Sequence, residues 1–356
     1  MKNRSKKIWI DIINPSDSLF FNSIIKEFDK SNIFVTLRDR AETVQLAKSF
    51  GINGKIVGKD YRDKTKKIAA IILRTLQLLK IPNFDVSLSF ENGMAVAVSK
   101  IRRKKAILFC DNDLKFLQKE SFVQDLETKF KSTADVVIVP EACAENFEKF
   151  FGRDKVVFYN GYKEDVYIAD YIPDPGFVNK IPFDRYVVIR PESLGSLYVL
   201  EKHSLVPELL KLFEKEGINV VYLPREKEDA EFAKGFGAYI PPKALNGLDL
   251  CYYSDAVLTG SGTMAREAAC MGKPAVSFFP GTRLLSVDRK LIEEGKMLHS
   301  RDAKEIVEYV IKNFKNKRKQ KLDTSRSKSV KREVMKILYE IIKGGCLHRE
   351  TSDSFL

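Results

Sequence analysis

The chain has 356 residues, too many for one ordinary core and enough for two domains. Hydrophobic residues make up 44% and charged residues 31%, which excludes a disordered or low-complexity chain. Lysine and arginine number 61 against 48 aspartate and glutamate, and the formal net charge of +13 suits anionic partners such as nucleotides, lipid head groups or nucleic acid.

The first residues are basic, but the apolar run that follows stops at Asp11, too short for a secretory signal. No stretch approaches the ~18–20 apolar residues of a spanning helix. The five cysteines form no CxxC pair, and four lie in apolar contexts, so reduced core thiols and a cytoplasmic location are expected.

Strands alternate with helices along the chain, the pattern of parallel sheets covered by helices. In the first half, strands are predicted at 7–12, 33–37, 55–57, 85–89, 106–109, 135–139 and 156–159. Helices fall near 18–29, 41–50, 64–80, 93–100 and 142–151. Pro173, Pro175, Gly176 and Pro182 then interrupt the pattern and mark a linker. The cycle restarts with strands at 186–190, 219–223, 238–240, 256–259 and 275–278, and helices near 197–216, 226–234, 248–254, 264–271, 288–294 and 303–314. The expected domains are 1–170, a linker 171–185, and 186–314. A basic helix follows within 315–343, expected to cross back to the first domain, and then a disordered tail, 344–356. The fold class is α/β, with two Rossmann-like domains facing a cleft at their strand ends.

The most informative stretch runs from Leu258 to Ala269. An apolar strand breaks into Thr259-Gly260-Ser261-Gly262-Thr263, and a helix opens near Met264. Glycines let the backbone turn tightly and let a ligand approach, and the free N–H groups of a helix start suit a diphosphate. Thr263 and Glu267 are four residues apart and share one helix face, where the carboxylate could accept from ribose hydroxyls. A plain strand–turn–helix capped by Ser or Thr is the structural alternative.

Several motifs carry a resemblance: Ile8-Trp-Ile-Asp11 with Asn14-Pro15, Val139-Pro-Glu-Ala142, Tyr159-Asn-Gly161, Arg190-Pro191, Leu223-Pro-Arg225, and above all Tyr252 through Ala269 and Gly272 through Gly281. The chain resembles a family of archaeal and bacterial predicted glycosyltransferases. That family belongs to the GT-B-fold group, which includes the nonhydrolysing UDP-N-acetylglucosamine 2-epimerases and the transferase that makes lipid II. The similarity spans about residues 7 to 312. Two strand ends depart from the family pattern: Ser89-Phe-Glu-Asn-Gly93 stands where Ser-His-Gly is common, and Cys110-Asp-Asn-Asp113 where Asp-Asp-Tyr is common.

The resemblance implies a nucleotide-sugar donor in the C-terminal domain, with the diphosphate on Ser261, Gly262 and Thr263 and the ribose on Glu267. Arg190 could pair with a phosphate through its planar fork, Arg225 could border the base or phosphate, and Gly281 lies in a loop over the site. The N-terminal domain is expected to hold a glycan or lipid-linked acceptor. Asp11, Glu91 and Asp111 end predicted strands there and are the candidate general bases, with Asn14 and Arg38 as binding residues. No metal and no cofactor is expected: the three histidines have no ligand spacing, and helix dipole and basic side chains can stabilise a leaving diphosphate. The expected activity is sugar transfer, probed against two alternatives, 2-epimerisation and non-catalytic binding.

The segment 62–80 is a basic helix with a wide apolar face. Packing on the sheet is its ordinary role; contact with the inner face of an anionic membrane is the functional one. The lysine-rich run 315–321 carries no interleaved aromatics, so nucleic acid is not the expected partner.

Overall fold

The computed structural model describes residues 5–40, 42–59, 64–117, 122–194, 203–314 and 322–344. The chain divides into two compact units: 1–111, 121–161 and 329–356 form the first, and 112–120 and 162–328 the second.

The first unit is built on a parallel sheet of seven strands: β1 Ile8–Ile12, β2 Ile33–Asp39, β3 Lys55–Lys59, β4 Val86–Phe90, β5 Lys105–Phe109, β6 Val136–Pro140 and β7 Val156–Tyr159. Their order is β3-β2-β1-β4-β5-β6-β7. Strands β1, β4 and β6 are buried throughout, as expected where helices cover both faces of a parallel sheet. Trp9 is fully buried, its ring centroid 5.0 Å from that of Phe84 and its indole N–H donating to Thr36 at 2.8 Å. On the opposite face of the sheet Phe20 packs edge-on against Phe21, Phe90 and Phe109, and Phe90 stacks on Phe109.

The second unit has five parallel strands, β8 Val187–Arg190, β9 Val220–Tyr222, β10 Ala256–Thr259, β11 Ala275–Ser277 and β12 Met297–His299, in the order β12-β11-β10-β8-β9. Its core joins Val187 and Ile189 of β8 to Leu209 and Phe213 of helix Val206–Lys215, and to Val307 and Val310 of helix Ala303–Phe314. In each sheet the chain lays strands outward in one direction and then returns to the other side of its first strand. That reversal lies between β1 and β4 in the first unit and between β8 and β10 in the second. Open α/β sheets bind ligands at the carboxyl ends of strands beside such a point.

Three differences from the sequence reading have local causes. The strand expected at 238–240 is a single bridge, Val221 to Tyr239, because Pro241 and Pro242 follow and cannot donate to a ladder. The helix expected at 226–234 tightens to a 3-10 helix, Glu228–Ala233. Helix Lys163–Ile168, together with 171–185, groups with the second unit rather than with 1–170 or a separate linker. Its Glu164 and Tyr167 bond to residues of helix Gly262–Cys270. Helix Ser325–Lys343 enters the first unit from residue 329: Lys331 pairs with Glu27 at 2.6 Å, and Lys105 donates to the Ile341 carbonyl at 3.0 Å. The run 315–321 and residues 345–356 lie outside the described residues, as do 197–202 of the helix expected at 197–216.

Candidate functional site

In the second unit the reversal point sets Arg190, the last residue of β8, in register with Thr259, the last of β10. The Gly260 N–H donates to the Arg190 carbonyl at 3.0 Å. A Cβ on Gly260 would stand 2.4–2.6 Å from Glu192, so the turn requires glycine. Ser261 follows in extended conformation at the N-cap of helix Gly262–Cys270. Its N–H donates to the Thr259 hydroxyl at 3.0 Å, and its own hydroxyl accepts from Arg225. That hydroxyl therefore does not cap the helix, and the first-turn N–H groups keep no side-chain partner.

Arg225 is fixed at its other end by the Pro191 carbonyl at 2.9 Å. Arg190 is not fixed: its Nε is buried without a hydrogen bond, and no carboxylate among the described residues pairs with it. Glu192, two residues on, is already taken by Arg301 at 2.5 Å, the Leu205 N–H at 3.0 Å and the Ser204 hydroxyl at 2.8 Å. A half-buried guanidinium with no partner among the described residues, beside an uncapped helix start, has the chemistry to accept an anion.

Beneath that turn lies a buried ion cluster. Arg266 meets Glu164 at 2.9 Å and Asp288 at 3.0 Å, and its Nη1 would lie 2.2 Å from a Cβ on Gly262. Glu267, only 6% exposed, accepts from the Tyr167 hydroxyl at 2.7 Å through one oxygen. Burial pushes its carboxyl up to about 7, partly offset by the Tyr167 hydrogen bond. Burial also raises the Tyr167 phenol, and the neighbouring Glu267 adds to this. Thr263 stands half-buried on the first turn. At Gly281 a Cβ would fall 2.2 Å from the Phe279 ring, so glycine lets that ring lie against its own loop.

The first unit's strand ends are charged as well, but their charges are met internally. Asp11 is fully buried. One of its oxygens accepts from Thr36 at 2.5 Å and Arg74 at 2.7 Å, and the other from Asn92 at 2.8 Å. Glu91 sits at φ 47°, a strained conformation at the end of β4. Its oxygens accept from the Asp111 N–H at 3.2 Å and from Lys131 at 2.6 Å. Burial pulls the Lys131 ammonium down, but the carboxylates of Glu91 and Glu127 outweigh this and the net shift is upward. Asp111 is buried just past β5, and its carbonyl accepts from the Cys143 thiol at 3.6 Å. Asn14 caps helix Pro15–Ile25, donating to Asp17 and accepting from Arg40 at 2.7 Å, while Arg38 is half-buried on β2. Asp113, two residues on, belongs to the second unit and accepts there from the Ser286 hydroxyl at 2.5 Å.

A family described as "Protein of unknown function (DUF354)" matches residues 6–343. The chain belongs to the DUF354 family. Within reach of the sequence, the uncharacterized protein MJ0665 of Methanocaldococcus jannaschii is 27% identical over 317 residues, 86% of this chain and 91% of the relative. The UDP-GlcNAc 2-epimerase of the same organism, solved in complex with UDP-GlcNAc and UDP, is similar in structure. Its TM-score is 0.68 at 14% identity, with 94% of this chain and 99% of that chain covered. The glycotransferase of kitacinnamycin gives 0.56 at 11% identity, covering 95% and 99%. The DUF354 chain therefore has the α/β architecture of GT-B epimerases and glycosyltransferases.

Sequence reasoning missed Tyr167, Glu164, Asp288 and Glu192. Each is a polar residue whose partner lies far along the chain, and a charged residue in a short segment reads as solvent-facing. Ser277, in register with Thr259, was also unmarked; its hydroxyl is buried without a partner. A cavity of about 570 Å³ lies at the opposite, amino-terminal edge of the second unit's sheet, lined by Arg185, Asp255, Lys273, Lys296 and Arg326 among others. It is separate from the turn at Gly260, and strand carboxyl ends remain the place where such sheets present ligand-binding turns.

Proposed function

We propose that this DUF354 protein is a GT-B glycosyltransferase that takes a nucleoside-diphosphate sugar, UDP-linked, and transfers the sugar to a glycan or lipid-linked acceptor. The observation that carries the reading is the unpartnered Arg190 beside the uncapped start of helix Gly262–Cys270. The diphosphate would take the N–H groups of Gly262 and Thr263 and the fork of Arg190. Arg225 would hold Ser261 in place, Glu267 would receive the ribose hydroxyls, and the loop at Gly281 would border the site. As the sugar leaves, charge grows on the diphosphate, and the helix start and Arg190 stabilise it without reorganising. Among the candidate bases, Asp11 and Glu91 have both oxygens engaged. We assign the acceptor proton to Asp111 by its place at the end of β5.

The fold likeness to UDP-GlcNAc 2-epimerases favours a second reading, epimerisation of the donor sugar. Incubation with UDP-GlcNAc and no acceptor separates the two: epimer formation supports the second, an unchanged donor the first. The shared part of both readings is tested by thermal unfolding with nucleoside diphosphates. At 100 times its Kd, UDP should stabilise the protein by ~2.7 kcal/mol. No response to any nucleotide overturns both.

A further inference from the structure

Helix Lys64–Leu78 of the first unit is held in a fixed rotation by its inner face. Arg74 turns inward, donating to the Val57 carbonyl at 2.8 Å and to Asp11 at 2.7 Å, and Leu78 is fully buried. With those residues inside, the opposite face is turned out. Ile72 and Leu73 are each 57% exposed and Leu76 53%, and Ala69 and Lys80 are exposed on the same side. Positions 69, 72, 73 and 76 follow at i, i+3, i+4 and i+7 on the helix, so the apolar residues form one stripe rather than scattered contacts. Exposed isoleucines and leucines in such a stripe mark a surface that is covered in use.

The charge around the stripe says what covers it. Besides the inward-turned Arg74, residues 64–84 contain Lys64, Lys66, Lys67 and Lys80, and no acidic residue. Residues 92–110, the neighbouring helix and β5, contain Lys100, Arg102, Arg103, Lys104 and Lys105, again with no acid. Ile101, at the end of that neighbouring helix, is 62% exposed. Its successor Arg102 donates to the Ile81 carbonyl at 2.9 Å, tying that end to the chain just past helix Lys64–Leu78. Among these cations Arg74 is spent on Asp11 and Lys100 pairs with Asp135 at 2.7 Å, yet the two stretches together carry a strong positive excess. An apolar stripe with that excess is complementary to a surface that is hydrocarbon below and negative at its rim. We propose that this face docks in the head-group layer of an anionic lipid membrane, with Ile72, Leu73 and Leu76 inserted and the surface lysines over the lipid phosphates. The helix lies on the membrane and does not cross it: no helix among the described residues is long and apolar enough to do so. The inference is independent of the donor chemistry, since every residue it uses belongs to the first unit.

The test is flotation of the full chain with phosphatidylcholine vesicles, with and without phosphatidylglycerol. The protein should float with the anionic vesicles at low salt, stay behind with the neutral ones, and be released as salt screens the charges. The double variant Ile72→Ser, Leu76→Ser changes only exposed side chains and so keeps its fold. It should lose about tenfold or more in vesicle affinity while binding UDP as the unaltered chain does. Wild-type protein that ignores anionic vesicles overturns the proposal, as does a variant that binds them equally well. A concentration-dependent dimer abolished by the same substitutions, with no vesicle binding, would assign the face to a second copy of the chain instead. Loss of nucleotide binding with vesicle binding intact would count against the transferase reading alone.

Discussion

At the reversal point of the seven-stranded sheet, Asp11 is met by Arg74, Thr36 and Asn92. At the reversal point of the five-stranded sheet, Arg190 is met by no carboxylate among the described residues. Arg190 ends its strand and Asp11 is the last residue but one of its own, and in a comparison of sequence alone both look like site residues. The difference lies in burial. A carboxylate taken fully out of water must be paired, and Asp11 is paired on both oxygens. Arg190 keeps part of its surface in solvent and can remain unpaired until an anion arrives. A charge completed inside the fold holds the fold together; a charge left incomplete at its edge is available for binding.

That contrast breaks most sharply at Arg74. Arg74→Met leaves Asp11 buried without a countercharge, and should cost about 3–5 kcal/mol of stability in urea unfolding, with UDP affinity per folded molecule unchanged. A loss below about 1 kcal/mol would mean that Asp11 is not the completed charge described here.

Glu267 tests the second unit from within. Its folded-state carboxyl is raised to about 7 from an ordinary 4.5, so between those values the folded protein holds a proton that the unfolded chain has released. Stability is therefore fully present below the lower value, falls as pH rises through this window and levels off above about 7. The total change is on the order of 3 kcal/mol. Glu267→Gln should flatten that slope. A parallel pH profile in the variant would remove Glu267 as its source.

Arg190→Ala should weaken UDP binding by about 1.5–3 kcal/mol, because a charge-assisted contact is lost, and should leave stability within about 0.5 kcal/mol. Isothermal titration and urea unfolding on one sample give both numbers. A variant that unfolds readily yet binds normally would reverse the roles given to Arg190 and Asp11. The smallest effect is expected at Asn92, which caps helix Gly93–Ile101 and donates to Asp11. Asn92→Ala should cost ~1–2 kcal/mol in stability and nothing in nucleotide affinity.

The parallel architecture was readable because buried strands such as 136–140 and 256–259 are short apolar runs bounded by turns. The strand–glycine–helix at Thr259 to Thr263 was readable because glycine is demanded where an added Cβ would fall within 2.6 Å of Glu192. Three-residue β12 was too short to show a period. Helix Lys163–Ile168 was hidden because Lys163, Glu164 and Asp165 are all buried, against their usual preference. The partners that decide the role of each charge were out of reach for the same reason. Arg74 lies 63 residues from Asp11, and Glu164 lies 102 residues from Arg266. No local pattern announces such pairings.

The most direct measurement is a crystal structure of the protein grown with UDP. The diphosphate should lie on the N–H groups of Gly262 and Thr263, with the Arg190 guanidinium turned onto it. UDP bound instead in the cavity near Arg185 and Lys273, or a turn at Gly262 left bare at saturating nucleotide, would contradict the account.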